Sequence, residues 1–165
     1  MPRACFLDRD GVLNRRASPH DYVKSVGEFE WLAGAREGVR RLNDDGWLVL
    51  VVTNQRGIAR GLMSAADVEA IHAHAQRGLT EIGAHVDAFY ICPHGDDERC
   101  DCRKPEPGLI LRAAREWNVD LAASFLVGDD ERDIETARRA GVRAVKMASN
   151  GDLRAAIAGQ LGAEC

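Results

Sequence analysis

Short apolar runs that stop abruptly on polar residues constrain the fold of this chain more than any other feature. Ala4-Cys5-Phe6-Leu7 ends at Asp8, and the run from Trp47 to Val52 ends at Thr53. Unbroken apolarity, without alternation, is what a strand buried on both faces requires. Val86 to Ile91 and Ser124 to Val127 read as two further strands, and Ala144 to Met147 as a fifth. Helical patterns fill the intervals. Leu32, Ala35, Val39 and Leu42 make one apolar stripe closed by Gly46, and Val68, Ile71, Ala75, Leu79 and Ile82 make another. Ser64, with Asp67 three residues on, supplies a capping-box start for that second helix. Pro107 opens a third helix through Ile110, Ala113 and Trp117, Ile134 and Ala137 mark a fourth, and Leu153, Ile157 and Leu161 a fifth. Such alternation implies an α/β chain, a doubly wound parallel sheet with helices on both faces. Its ligand crevice is expected at the carboxyl ends of the strands.

At 165 residues the expectation is one domain spanning 1–165. No apolar run is long enough to cross a bilayer, and the chain reaches Asp8 before a signal-peptide core develops, so a cytoplasmic protein is expected, with a monomer as the default. A net charge of −4 provides no general attraction to nucleic acid or to an anionic membrane. A small anionic ligand held by particular side chains fits better. Residues 11 to 30 and 92 to 106 form connections longer than ordinary turns, and both adjoin polar strand ends, which marks them as functional.

Asp8 and Asp10 straddle one residue beyond the first strand, so both carboxylates can face the crevice while Arg9 points elsewhere. A carboxylate that attacks phosphorus forms an acyl phosphate. A second carboxyl group must then protonate the leaving oxygen and later activate water. Alone, Asp8-Arg9-Asp10-Gly11 could equally be a solvated turn. The other strand ends tip the balance: Thr53 offers a hydroxyl, Asn54 an amide, and Gly128-Asp129-Asp130 a carboxylate that would repel Asp8 unless a cation joined them. Magnesium, with its preference for hard oxygen ligands, is the expected cation, and Lys104 would balance transition-state charge. Glu131 and Asp133 are expected only to stabilise the dipole of the helix they open.

Cys92-Pro93-His94 and Cys100-Asp101-Cys102 bring three thiols and an imidazole into a loop at about 92–102, a closed tetrahedral set suited to structural zinc. Reduced cysteines in an exposed loop are the plain alternative, although three clustered thiols would be an oxidation liability. Cys5 reads as a buried small hydrophobe and Cys165 as a frayed end. His20, His72, His74 and His85 read as surface residues, and Trp31, Trp47 and Trp117 as packing residues.

Asp8-x-Asp10-Gly11, Thr53, Lys104 and Gly128-Asp129-Asp130 with Asp133 together resemble the motifs of the haloacid dehalogenase superfamily of phosphatases. The resemblance implies a Rossmann-like fold, here without an inserted cap domain. It further implies Asp8 as nucleophile and magnesium ligand, Asp10 as acid/base and carbonyl ligand, and Asp129 as the third protein ligand, with Asp130 assisting. Phe6-Leu7-Asp8-Arg9-Asp10-Gly11, Val52-Thr53-Asn54-Gln55, Gly57 to Gly61, Cys92-Pro93-His94 and Cys100-Asp101-Cys102-Arg103-Lys104-Pro105 resemble one branch more closely, the D-glycero-D-manno-heptose 1,7-bisphosphate phosphatases, with the histidinol phosphatases next. That branch implies a phosphorylated sugar as substrate and removal of its C7 phosphate through an aspartyl-phosphate. Thr53 and Lys104 would stabilise the phosphoryl group, and Asn54, Gln55, Arg56 and Arg103 would recognise the sugar phosphate. Arg56 stands where a small residue is usual, and Asn14 to His20 departs from the typical loop, which leaves anomer preference open. The competing expectations are a histidinol-phosphate phosphatase and a phosphosugar-binding module without turnover. A polynucleotide 3′-phosphatase is disfavoured by the acidic net charge.

Overall fold

The computed structural model describes residues 1–161, so Cys165 lies outside the described residues. Five strands, β1 (Ala4–Leu7), β2 (Leu48–Asn54), β3 (Ala88–Cys92), β4 (Phe125–Gly128) and β5 (Arg143–Lys146), form one parallel sheet in the order β3-β2-β1-β4-β5. The connecting helices are α1 (Ala35–Asp44), α2 (Ala65–Thr80), α3 (Gly108–Trp117), α4 (Glu131–Ala140) and α5 (Leu153–Ile157). None is long and apolar enough to cross a membrane.

The doubly wound arrangement follows from where successive side chains go. Cys5, Leu7, Val49, Val51, Phe125 and Val127 face one core, with Val39 and Leu42 of α1, Leu79 of α2 and Leu153 of α5. Their neighbours Ala4, Phe6, Leu50, Val52 and Leu126 face a second core, with Ile110 and Ala113 of α3 and Ala137 of α4. Both faces are covered, which is why the central strands read as continuous apolar runs. Burying an aromatic such as Phe6 or Phe125 contributes about 2–3 kcal/mol relative to exposure.

The elements differ from expectation mainly at their ends. β2 runs on to Asn54 because its ladder with β3 continues through Thr53↔Ile91 and Asn54↔Cys92. β3 starts at Ala88, after Asp87 has closed a two-bond clasp on Val49: the Asp87 amide donates to the Val49 carbonyl at 2.8 Å, and the Val49 amide donates to Asp87 Oδ2 at 2.8 Å. β5 is a largely exposed edge strand bearing Arg143 and Lys146, charges that discourage edge-to-edge pairing. α5 stops at Ile157, and Leu161 packs onto the first core from beyond the helix. The capping boxes at Ser64–Asp67 and Asp130–Asp133 are both formed.

The strand order reverses beside β1, where the crossover from β3 returns to β4. A crevice opens at such a point because the neighbouring connections leave on opposite faces. Asp8 follows β1 there, and Asp129 follows β4.

Candidate active site

The chain turns sharply as it leaves β1. The Arg9 carbonyl accepts from the Leu13 amide at 2.8 Å and the Val12 amide at 3.2 Å, and the Gly11 amide donates to the Asn14 carbonyl at 2.8 Å. Gly11 sits at φ +87°, and a Cβ there would lie 2.1 Å from Asp129 Oδ2, so both conformation and close approach require glycine. From the far side, the Asn150 amide donates to the Gly11 carbonyl at 2.9 Å. The turn thereby aims Asp8 and Asp10 into a cavity of about 150 Å³ whose lining includes Arg16, Tyr22, Arg56 and Arg132.

Lys104 is the buried cation of the site. Its Nζ lies 2.9 Å from Asp8 Oδ1 and 2.6 Å from Asp133 Oδ1, and it donates to the Val52 carbonyl at 3.2 Å. Burial alone would lower its affinity for a proton, but Asp8 and Asp133 outweigh that and hold it firmly charged. For Asp8 the balance runs the other way. Its carboxyl is pushed up to about 7, by burial above all, with Lys104 pulling it down and Asp133, Asp129 and Asp10 adding to the rise.

Asp129 is the uncompensated group. By distance it is paired, since Arg16 Nη1 approaches Oδ2 at 3.3 Å, yet neither oxygen receives a hydrogen bond. The second description governs, because the Asp129 side chain is fully buried while Arg16 is 39% exposed and screened by water. Ligand oxygens of Asp8, Asp129 and Asp133 all lie within 4.8 Å of one another. A buried carboxylate without a donor, next to a second one, has the chemistry of a divalent-cation site.

Asp10 is held differently. Oδ1 accepts from Arg9 Nη2 at 2.8 Å and Asn14 Nδ2 at 3.0 Å, and Oδ2 accepts from Gln55 Nε2 at 3.0 Å. Burial opposes its ionised form, but Arg9, Asn14 and Gln55 together keep it below the usual carboxylate range. Two adjacent carboxyl groups are thus pushed apart in acidity, Asp8 upward by burial and Asp10 downward by its three donors.

Three residues have surroundings that sequence reasoning did not give them. Arg9 does point away from the cavity, whose lining it does not join, but into the protein: it is 1% exposed and its guanidinium meets Asp10. His72 is not a surface residue but a buried one, stacked on Phe89 with ring centroids 4.2 Å apart. Asp133 does more than serve the helix dipole. It is buried, takes the Asp130 amide on Oδ2 at 3.2 Å and anchors Lys104 on Oδ1. The spacing of Asp130 and Asp133 is itself a capping-box signal, which places Asp133 on the inner side of the first turn. Nothing local signals the Arg9 and His72 positions, because each depends on a partner far away in the chain.

The residues expected to touch substrate divide into two groups. Asn54 Oδ1 accepts from the Lys104 amide at 3.0 Å and its Nδ2 donates to the Lys104 carbonyl at 3.3 Å, so its amide clamps the backbone of the cation. Gln55 Nε2 bridges Asp10 and Thr53 Oγ1, the latter at 3.0 Å, leaving the Thr53 hydroxyl proton free to donate. Arg56 and Arg103 instead converge on Asp96 in the loop after β3. Asp130 caps α4, and Arg132 Nε lies 3.1 Å from its Oδ1.

In the same loop Cys92, His94, Cys100 and Cys102 cluster with all ligand atoms within 4.8 Å. Sγ of Cys92 lies 3.9 Å from that of Cys100 and 3.0 Å from that of Cys102, while His94 Nδ1 lies 3.5 Å from Cys92 Sγ and 3.2 Å from Cys102 Sγ. A tetrahedron with Zn–S bonds of ~2.3 Å has edges of about 3.8 Å, so these donors fit such an ion after small shifts. The thiols are free. Burial and the neighbouring Cys92 and Cys100 push the Cys102 thiol well up.

A parallel sheet of this order, with an Asp-x-Asp turn after the central strand and a buried lysine opposite it, defines the haloacid dehalogenase class of hydrolases. A HAD-hydrolase-like family model matches residues 101–160. The D-glycero-beta-D-manno-heptose-1,7-bisphosphate 7-phosphatase of Bordetella bronchiseptica is 45% identical over 136 residues, covering 82% of this chain and 75% of its own. The D-glycero-alpha-D-manno-heptose-1,7-bisphosphate 7-phosphatase of Mycobacterium tuberculosis is 44% identical over 145 residues, covering 87% and 76%. The crystal structure of D,D-heptose 1,7-bisphosphate phosphatase from B. bronchiseptica, complexed with magnesium and phosphate, superposes with a TM-score of 0.85 at 40% identity, over 99% of this chain and 88% of that one. The chain therefore belongs to the haloacid dehalogenase superfamily and, within it, to the family of the D-glycero-D-manno-heptose-1,7-bisphosphate 7-phosphatases, as its motifs suggested.

Proposed function

We propose that this protein is a magnesium-dependent phosphatase that removes the C7 phosphate of D-glycero-D-manno-heptose 1,7-bisphosphate. The observation that carries the chemistry is the buried cluster in which Lys104 touches Asp8 beside the donorless carboxylate of Asp129. Similarity to relatives of that name supports the substrate. Asp8, Asp129 and the backbone carbonyl of Asp10 are the residues that would hold magnesium. When bound, the ion supplies positive charge that offsets the clustered carboxylates and the substrate phosphate.

Asp8 attacks phosphorus, the bond from phosphorus to the C7 oxygen breaks, and Asp10 gives that oxygen a proton. Asp10 must enter this step protonated, and the approach of an anionic phosphate opposes the donors that otherwise keep it ionised. The acyl phosphate on Asp8 is then opened by a water whose proton passes to the Asp10 carboxylate, releasing inorganic phosphate and restoring both residues. Lys104 and the Thr53 hydroxyl meet the charge on the phosphoryl oxygens. Asn54 and Gln55 serve this machinery by fixing Lys104, Thr53 and Asp10. Arg56 and Arg103, joined through Asp96 at the rim, are the side chains we assign to the rest of the sugar phosphate.

Zinc at Cys92, His94, Cys100 and Cys102 is structural in this reading, since four protein donors close the coordination. It orders the loop that carries Arg103 and Lys104. Cysteines gathered as metal ligands suit a reducing compartment, and we place the enzyme in the cytoplasm as a monomer. Turnover of heptose bisphosphate and of histidinol phosphate by the same preparation tests the substrate. A kcat/KM at least ~100-fold higher for the bisphosphate is expected of a site specific for it, and a preference for histidinol phosphate would overturn the assignment.

A further inference from the structure

Beneath the catalytic turn lies a buried polar relay that the proposed chemistry leaves unused. Arg9 bridges the turn after β1 and α2: Nη2 donates to Asp10 Oδ1 at 2.8 Å, and Nη1 lies 3.2 Å from His72 Nε2 on α2. Arg9 is 1% exposed and its Nε has no hydrogen-bond partner, so its guanidinium is oriented by those two contacts. His72 is held in turn by stacking on Phe89 of β3, with the ring planes 14° apart. Burial, reinforced by Arg9, pushes His72 down to about 3, so the ring is neutral and Nε2 accepts while Nδ1 carries the proton. A buried arginine needs an acceptor at each end to keep one orientation.

We infer that His72 is a positioning residue for Asp10, acting through Arg9 to aim the proton-donating carboxyl at the leaving oxygen. This rests on Asp10 being the acid of the reaction. Loss of the acceptor on α2 frees Nη1, lets the guanidinium swing, and removes one of the three donors that define where Asp10 points. The nucleophile keeps its own contacts, because Asp8 Oδ1 is held by Lys104 Nζ at 2.9 Å and by the Arg9 backbone amide at 2.8 Å.

Leaving-group dependence separates positioning from general damage. The value of kcat/KM covers phosphoryl transfer to Asp8, and a nitrophenolate departs without a proton whereas a sugar alkoxide needs one. For His72→Leu, kcat/KM on heptose bisphosphate is expected to fall roughly tenfold, a fraction of a full acid contribution, with p-nitrophenyl phosphate changed less than about twofold. His72→Gln, which keeps an acceptor for Arg9, should recover most of the loss. Should His72→Leu fail to fold, Arg9→Met is compared on the same two substrates. Parallel losses on both substrates, or no loss on either, would overturn the inference. Asp10→Asn separates its failure from that of the premise. If Asp10→Asn is selective for the alkoxide substrate and His72→Leu is not, the relay is wrong. If neither is selective, Asp10 is not the acid.

Discussion

Lys104 faces two carboxylates at once, Asp8 at 2.9 Å and Asp133 at 2.6 Å, with almost no access to water. At the scale of single residues this arrangement explains why a buried ammonium stays charged and why the nucleophile beside it can ionise at all. Lys104→Met should destabilise the fold by about 3–5 kcal/mol, the usual cost of stranding buried charge. Activity should fall at least ~100-fold through lost charge stabilisation. Chemical denaturation and steady-state phosphate release measure the two effects separately. The convergence of Asp8, Asp10, Thr53 and Asp129 was legible in the sequence because each stands just beyond an apolar run, and strand ends converge by topology. Arg9 and His72 were not, because their roles arise from a contact 63 residues apart that no local pattern encodes, and Asp133 was signalled as a helix cap while its ion pair with Lys104 was not.

At the scale of elements, the loop between β3 and α3 carries two jobs. Its cysteine and histidine donors gather within bonding reach of one ion, and its exit places Lys104 under the crevice, where Asn54 clamps the Lys104 backbone from β2. Gly108 closes the loop with its amide donating to the Asp101 carbonyl at 2.8 Å, and a Cβ there would lie 2.2 Å from that same oxygen. About one zinc per chain is expected by elemental analysis. Stripping it should raise KM for the sugar phosphate several-fold more than it lowers kcat, because the loop orders Arg103 before it reaches the chemistry. A zinc-free preparation with unchanged KM would remove the metal from the account. The strands and helices themselves were readable from apolar periodicity. Their ends were not, since β2 is extended by pairing with β3, and α5 gives way before Leu161, which reaches the core without helical backbone.

At the scale of the whole molecule, the sheet concentrates four acidic side chains, Asp8, Asp10, Asp129 and Asp133, around one switch point. Folding without a cation carries an electrostatic cost that the proton on Asp8 relieves. The folded state holds that proton up to about pH 7, whereas an exposed aspartate releases it near 3.8. The resulting stability of the metal-free protein is present at low pH and lost as pH rises through that window. Magnesium must displace the proton, so its affinity should climb by up to about tenfold per pH unit below 7 and level off above. Thermal shifts on magnesium addition should accordingly be larger at about pH 8 than at about pH 5. A shift independent of pH would mean that Asp8 is not part of the cation site. Topology made the convergence of these carboxylates foreseeable, but their competition for one lysine and one proton is a property of the packed structure alone.

Whether Asp8 is a magnesium-assisted nucleophile is decided by phosphate release from D-glycero-D-manno-heptose 1,7-bisphosphate by the parent protein and by Asp8→Asn, with and without magnesium, following the product by phosphorus NMR. Loss of the C7 phosphate alone is expected, only with magnesium, and at least ~1,000-fold less turnover in the variant, as on removing a covalent nucleophile. Release that persists in Asp8→Asn, or proceeds equally well without the metal, would contradict that role.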